Sequence, residues 1–318
     1  MPFTLISGTF HVRGYSPDGD SIRFAPRDRA LVAGLGGGTP RFNARGHVQL
    51  RIEGIDTLET YYSPPGGGGT YHQPLALAHA ALDRVLAYTG IGNVEWDANR
   101  GVVVSADDGS DGYILARSVE KNGRPVAFVF AGGPPGDDGA AVPLDVPLLR
   151  QSYNYAALDE GLAYATYYEG LFHDLRGAMT DAVRRARADR RGVHALDVTT
   201  RGFTVTGMQA LTGEHVIMPK LFRRLCEYVA AYGTGDGFKA ALAASAEPVL
   251  DLTTNNFTHF DTFIDQQDGD PTVRLSRNPE DLVFDPVPAR PADFFSAVLE
   301  ARAVAAADGR PTLAAVGR

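Results

Sequence analysis

An α+β fold is predicted for this 318-residue chain, and three observations predict it. Residues 3–13 and 47–55 read as strands, and 47–55 alternates apolar and polar side chains, the pattern of a half-buried strand. Residues 73–90, "QPLALAHAALDRVLAYTG", instead space their apolar residues at helical intervals. At Thr199 the composition shifts, and the pattern after Pro219 is helical. The expected organisation is therefore a mixed part over residues 1–198, followed by a mostly helical extension over 199–318.

In order, residues 3–13 and 21–25 are predicted strands joined by "SPDGD", whose Pro-Asp-Gly order is turn chemistry. Residues 31–46 form a glycine-rich loop, and 47–55 a strand. "SPPGGGG" at 63–69 is a flexible loop. The helix at 73–90 is opened by Gln73 and Pro74 and closed by Gly90. "NVEWD", "GVVVSAD" and residues 113–120 are predicted strands, and "KNGR" at 121–124 is a hairpin turn into "PVAFVFAG". A surface loop is expected at 132–143, and helices at 155–170 and 172–190. The extension should hold an amphipathic helix at 219–232 with Pro219 at its start. A short helix at "KAALAASA" and a terminal helix at 291–307 complete it. There is no internal repeat.

The chain is 44% apolar and 21% charged, enough to bury a core. No apolar run approaches the roughly 20 residues that a membrane helix needs. The opening "MPFTLISGTFHVRG" lacks a basic start followed by a long apolar stretch, so a cytoplasmic location is expected. A single cysteine, Cys226, excludes an internal disulfide and a multi-cysteine zinc site. The net charge of −8 argues against avid, non-specific nucleic-acid binding and favours a small substrate over long DNA.

Two short stretches crowd carboxylates: "SPDGDS" brings Asp18 and Asp20 to one turn, and "RIEGIDTLET" sets Asp56 and Glu59 downstream of Arg51. Like charges held together need either a cation between them or ordinary turn chemistry to explain them. In this order, Asp18-Gly19-Asp20-Ser21 followed by Arg51-x4-Asp56-x2-Glu59, the chain resembles the thermonuclease family, the staphylococcal-nuclease-like domain. Arg190-Arg191-Gly192-Val193-His194 is similar to the family's closing motif. The resemblance covers roughly residues 8–198. It implies a five-stranded OB-type β-barrel with flanking helices, and a calcium-dependent nuclease or phosphodiesterase acting on nucleic acid or a nucleotide.

The resemblance also implies roles. Asp20, Asp56 and the carbonyl of Thr57 would hold Ca2+ or another divalent cation, with Asp18 behind them. Hard oxygen donors suit that ion. Glu59 would orient or deprotonate the attacking water, and Arg51 would bind the phosphate. The family's spacing puts Tyr113 where its second catalytic arginine belongs. Losing such a donor typically lowers the rate by ~10²–10³. A slow nuclease, an altered substrate and a binding module for a nucleotide, oligonucleotide or protein are thus all open, with the extension available to a protein partner. Tyr113 is expected to point into the same pocket as Arg51 and Glu59 as a catalytic residue, with packing on the barrel as the alternative. Arg117 matches another family arginine, and Tyr167 follows "GLAYAT" where the family sets a tyrosine against the nucleotide. The scattered histidines are expected to be structural or solvent-facing, none of them a ligand, and Cys226 a small buried hydrophobe. Lys220, Arg223 and Arg224 are expected on a solvated helix face rather than on a phosphate.

Overall fold

The computed structural model describes residues 2–65, 67 and 69–285. The terminal helix expected at 291–307 lies outside these described residues. The principal sheet runs from Phe3–His11 outward in both directions. One side pairs antiparallel with Arg23–Pro26, in the register Phe10↔Phe24. The other pairs antiparallel with Ser110–Val119, which pairs in turn with Pro125–Ala131. Val48–Gln49 adds to Arg23–Pro26, and Arg51–Ile52 runs parallel to Pro125–Ala131. The two ends of this path are one stretch of chain, interrupted only by Leu50. The sheet therefore returns on itself as a nearly closed, barrel-like ring, which leaves little edge unpaired.

The predicted helix at 73–90 is observed as Leu75–Tyr88, and the second of the later pair as His173–Ala188. Their buried faces join the barrel residues in one apolar core that includes Phe10, Phe24, Leu82, Ile114 and Val183. The helix expected at 155–170 is shorter, Tyr153–Asp159. Gly161, with φ +73°, stops it, in a conformation that L side chains rarely adopt. The following apolar run becomes strand: Ala163–Ala165 pairs with Ile55–Thr57, and Tyr167–Tyr168 with Leu282–Phe284.

The expectation of a mostly helical extension is corrected. Its described residues contain the helices Pro219–Tyr232 and Phe238–Ser245, but also several strands. Pro248–Asp251 and Asn256–His259 form a hairpin beside Leu282–Phe284. The β-branched and aromatic residues of "DLTTNNFTHF" suit strands, and Asn255 takes the left-handed turn conformation at φ +57°. Among the described residues, no strand beyond residue 142 joins the principal sheet. A second apolar core joins Leu221, Phe222 and Leu225 of the extension to Leu58, Ala78 and Tyr164 of the first part. No helix among the described residues is long and apolar enough to cross a membrane.

Candidate functional site: a cleft of carboxylates and arginines

The turn at residues 16–22 and the strand at 55–57 meet at one rim of the barrel. Gly19 explains how closely. A Cβ there would lie 2.7 Å from the Ala81 Cβ and 2.8 Å from the Thr57 hydroxyl, so only glycine lets the turn settle against both. The hydroxyl of Tyr153, itself fully buried, donates to the Gly19 carbonyl at 2.7 Å and pins the turn from beneath. The Asp20 carboxylate accepts the Thr57 backbone N–H at 3.2 Å, and its own carbonyl accepts the Ile52 N–H at 3.1 Å. The two sequence motifs are therefore joined by hydrogen bonds. Glu59 is fixed by Gln73, whose side-chain oxygen accepts the Glu59 N–H at 3.2 Å while its amide donates to the Ile217 carbonyl at 2.8 Å. Gln73 is completely buried, so this residue ties the site to the extension.

These residues open on a cleft of about 910 Å³ whose lining includes Asp18, Asp20, Arg51, Asp56, Glu59 and Arg223. Arg223 belongs to the extension helix Pro219–Tyr232. Its guanidinium grips Asp56 at two points, Nη1–Oδ1 at 3.0 Å and Nη2–Oδ2 at 2.7 Å, and Nη1 also donates to Glu59 Oε1. Arg51 lies with its guanidinium 4.0 Å from the centre of the Tyr168 ring. Lys220 pairs with Glu247 at 2.5 Å.

Burial pushes the Asp20 carboxyl up to about 6, and repulsion from Asp56 adds to it. Burial likewise pushes Glu59 up to about 7; Asp56 and Asp20 add to that rise, and Arg223 opposes it. Asp18 is held well above the usual carboxylate range by burial, then by Asp20 and Glu59. For Arg223, burial works against the charge, but Asp56 and Glu59 outweigh it and hold the guanidinium firmly protonated.

The chemistry of this donor set tests the cation that the resemblance implies. Among the described residues, no group of three or more His, Cys, Asp or Glu side chains is placed to hold a metal ion. Both Asp56 oxygens and one Glu59 oxygen are spent on Arg223. As they stand, these residues do not fit a calcium ion, which takes six to eight oxygens. Thr57 lies beside Asp20, its hydroxyl buried without a hydrogen-bond partner.

No family model matches this chain, and no curated protein matches it. The site therefore rests on its own geometry. Of the residues singled out from the sequence, Asp18, Asp20, Arg51, Asp56 and Glu59 line one cleft. Three others lie elsewhere. Tyr113 is 5% exposed and stacks on Phe130, its register partner, at 4.7 Å with rings 2° from parallel. The expectation that Tyr113 faces the pocket is thereby corrected: cross-strand pairing of two aromatic rings holds it in the core. Tyr167 is buried with its hydroxyl 2.9 Å from Thr180 Oγ1, so it braces the helix His173–Ala188 and offers no ring to a ligand. Arg117 lies over Phe172 at 4.2 Å and donates to the Gly170 carbonyl.

The expectation of a solvated face for Lys220, Arg223 and Arg224 is also corrected. All three line the cleft, and Lys220 is only 5% exposed. They form one helical stripe, with Glu227 continuing it. The neighbouring stripe, Leu221, Phe222, Leu225 and Cys226, sits in the second core and presses the charged stripe against the barrel. Cys226 is buried as expected, and burial pushes its thiol up to about 12, far from nucleophilic use.

Proposed function

We propose that this cleft binds and hydrolyses phosphodiesters of nucleic acid or of a nucleotide, as a thermonuclease-like member built on an OB-type barrel. The ring of strands and the two motifs meeting at its rim support that assignment. The observation that carries the function is Glu59: a carboxyl pushed up to about 7 in the same cleft as the phosphate-binding candidate Arg51. A carboxylate so tuned is a usable general base near neutral pH. It takes a proton from water as the oxygen attacks phosphorus; the bond from phosphorus to the leaving oxygen breaks, its electron pair stays on that oxygen, and the alkoxide takes a proton from solvent. Arg51 neutralises charge building on the non-bridging oxygens, with its planar fork held in place over Tyr168. Metal dependence, implied by the resemblance, finds no ligand set among the described residues in this arrangement.

A second reading has its own observation. Arg223 already engages Glu59, the residue assigned to the water. That favours a phosphate-binding module with little or no turnover.

The deciding assay presents the purified chain with a fluorescent single-stranded DNA, the matching RNA and a mononucleotide diester. Hydrolysis lost in both Glu59→Gln and Arg51→Ala supports the enzyme. Binding that needs Arg51, without product, supports the module. Neither binding nor hydrolysis of any of the three would sink both readings.

A further inference from the structure

We propose that Arg223 is the site's built-in cation: a guanidinium delivered by the extension occupies the place between Asp56 and Glu59 where a divalent ion would otherwise be needed. The observations are geometric. Asp56 is 7% exposed at its side chain and Glu59 14%, and both lie in a cleft with Asp18 and Asp20. Two carboxylates at such depth, with the half-buried Asp18 and Asp20 beside them, repel one another and lose hydration, a cost that a counter-charge offsets. Arg223 provides it with directed bonds: a two-point fork onto Asp56, and a third contact to Glu59 from the same Nη1. A guanidinium suits this task better than an ammonium, because its donors are planar and fixed.

The delivery is built into the fold. Arg223 sits one turn into the helix Pro219–Tyr232, which starts with Pro219 at its first position and buries Leu221, Phe222 and Leu225 beneath it. Upstream, the Ile217 carbonyl is held by Gln73, the residue that also holds the Glu59 backbone. The guanidinium and the carboxylate it meets are thus positioned by one buried side chain. Two consequences follow. The cleft is complete without a metal, and the extension is a working part of the barrel's site rather than an appendage.

The inference concerns how the same cleft proposed above is neutralised. Its decisive test uses metal binding and stability, so it stands or falls whether or not phosphodiesters are cleaved. The full chain and its Arg223→Ala variant are melted in EDTA and in about 1 mM calcium, a concentration that loads even weak protein calcium sites. Terbium luminescence and calorimetric titration with calcium report binding directly. The expected result is a wild-type melting temperature that calcium leaves unmoved, with no calcium uptake. Arg223→Ala should melt lower in EDTA, recover in calcium and gain a binding event that Asp56→Asn removes. Tight calcium uptake by the wild type, abolished by Asp20→Asn or Asp56→Asn, would overturn the proposal. So would an Arg223→Ala protein that calcium neither binds nor stabilises, since the guanidinium then does not stand where a cation could. Should Arg223→Ala fail to fold, Arg223→Lys keeps one charge but loses the fork. It is expected to fold, melt lower and recover in calcium, and no recovery counts against the proposal, as does wild-type uptake.

Discussion

Arg223 and Asp56 are 167 residues apart in sequence and share a two-point ion pair of 3.0 and 2.7 Å at the rim of the barrel. That single contact joins the extension to the motif the barrel carries. It also places a fixed positive charge directly against two of the carboxylates of a cleft that acidic and basic side chains line together.

The first prediction concerns the strength of that contact. Removing one partner of a buried ion pair leaves an uncompensated charge, at a cost of about 3–5 kcal/mol. Arg223 remains a quarter exposed, which places the expected loss for Arg223→Ala at the lower end of that range. In a double-mutant cycle with Asp56→Asn, the coupling should reach about 1–3 kcal/mol in denaturant unfolding. A coupling indistinguishable from zero would make the pair a surface contact that happens to be well aligned.

Tyr113 provides the second. Its ring stacks on Phe130 in the core and does not line the cleft, so Tyr113→Phe should leave any phosphodiesterase activity unchanged. Tyr113→Arg should not create a second catalytic arginine. It should instead destabilise the chain by several kcal/mol, because a guanidinium would be buried without a partner. A Tyr113→Arg protein that melts like the wild type and hydrolyses faster would reverse this placement.

How much of this was legible in the sequence depends on range. Asp18, Asp20, Arg51, Asp56 and Glu59 lie in two short stretches whose order resembles the thermonuclease pattern, and that order, not local turn chemistry, put them at one site. The barrel strands were legible from short β-branched and aromatic runs between turn residues; Pro125–Ala131, PVAFVFA, is apolar throughout, as a strand covered on both faces is. Tyr113 was not, because a strand residue can face either side and only the pairing with Phe130 decides. Arg223 was not, because three cations in a helix of 14 residues read as a solvated face. What turned that face inward was a second core contributed by Leu58, Ala78 and Tyr164 from the first part. The helix expected through residue 170 failed at Gly161, where one backbone conformation outweighed a helical apolar pattern.

The third prediction follows from Glu59 as base. Activity should rise with pH through about 7, where the carboxyl loses its proton. Glu59→Gln should remove roughly 10²–10⁴-fold of the rate, the usual contribution of a positioned base, and flatten that rise. Arg51→Ala should instead lower the rate without moving the midpoint of the profile. A Glu59→Gln enzyme with an unaltered pH profile would transfer the base role to another group.

The last prediction is the pH dependence of stability, and its sign is unusual for carboxylates. Glu59 rises from an ordinary 4.5 to about 7 on folding, and Asp20 from 3.8 to about 6, in each case first through burial. Between the ordinary and the folded values, the native state holds more protons than the unfolded state, so the slope of unfolding free energy against pH is negative. Their contribution is therefore fully present below about pH 4 and is lost as pH rises through 6 and 7. Three histidines oppose this in part of the window. His47, His79 and His194 are lowered from 6.5, first by burial, and so favour the folded state as pH rises towards that value. The two effects separate in a difference curve. Denaturant unfolding of the wild type and of Glu59→Gln, measured from pH 5 to pH 8, shares the histidine contribution and differs at Glu59 and at Asp18, whose carboxyl Glu59 repels. Glu59→Gln should gain stability relative to the wild type as pH rises to about 8, by an amount on the order of 1.4 kcal/mol for each unit by which the carboxyl is raised. A difference curve that is flat across this range would mean that Arg223 holds Glu59 ionised throughout, and that the carboxyl is an anchor for the guanidinium rather than a base.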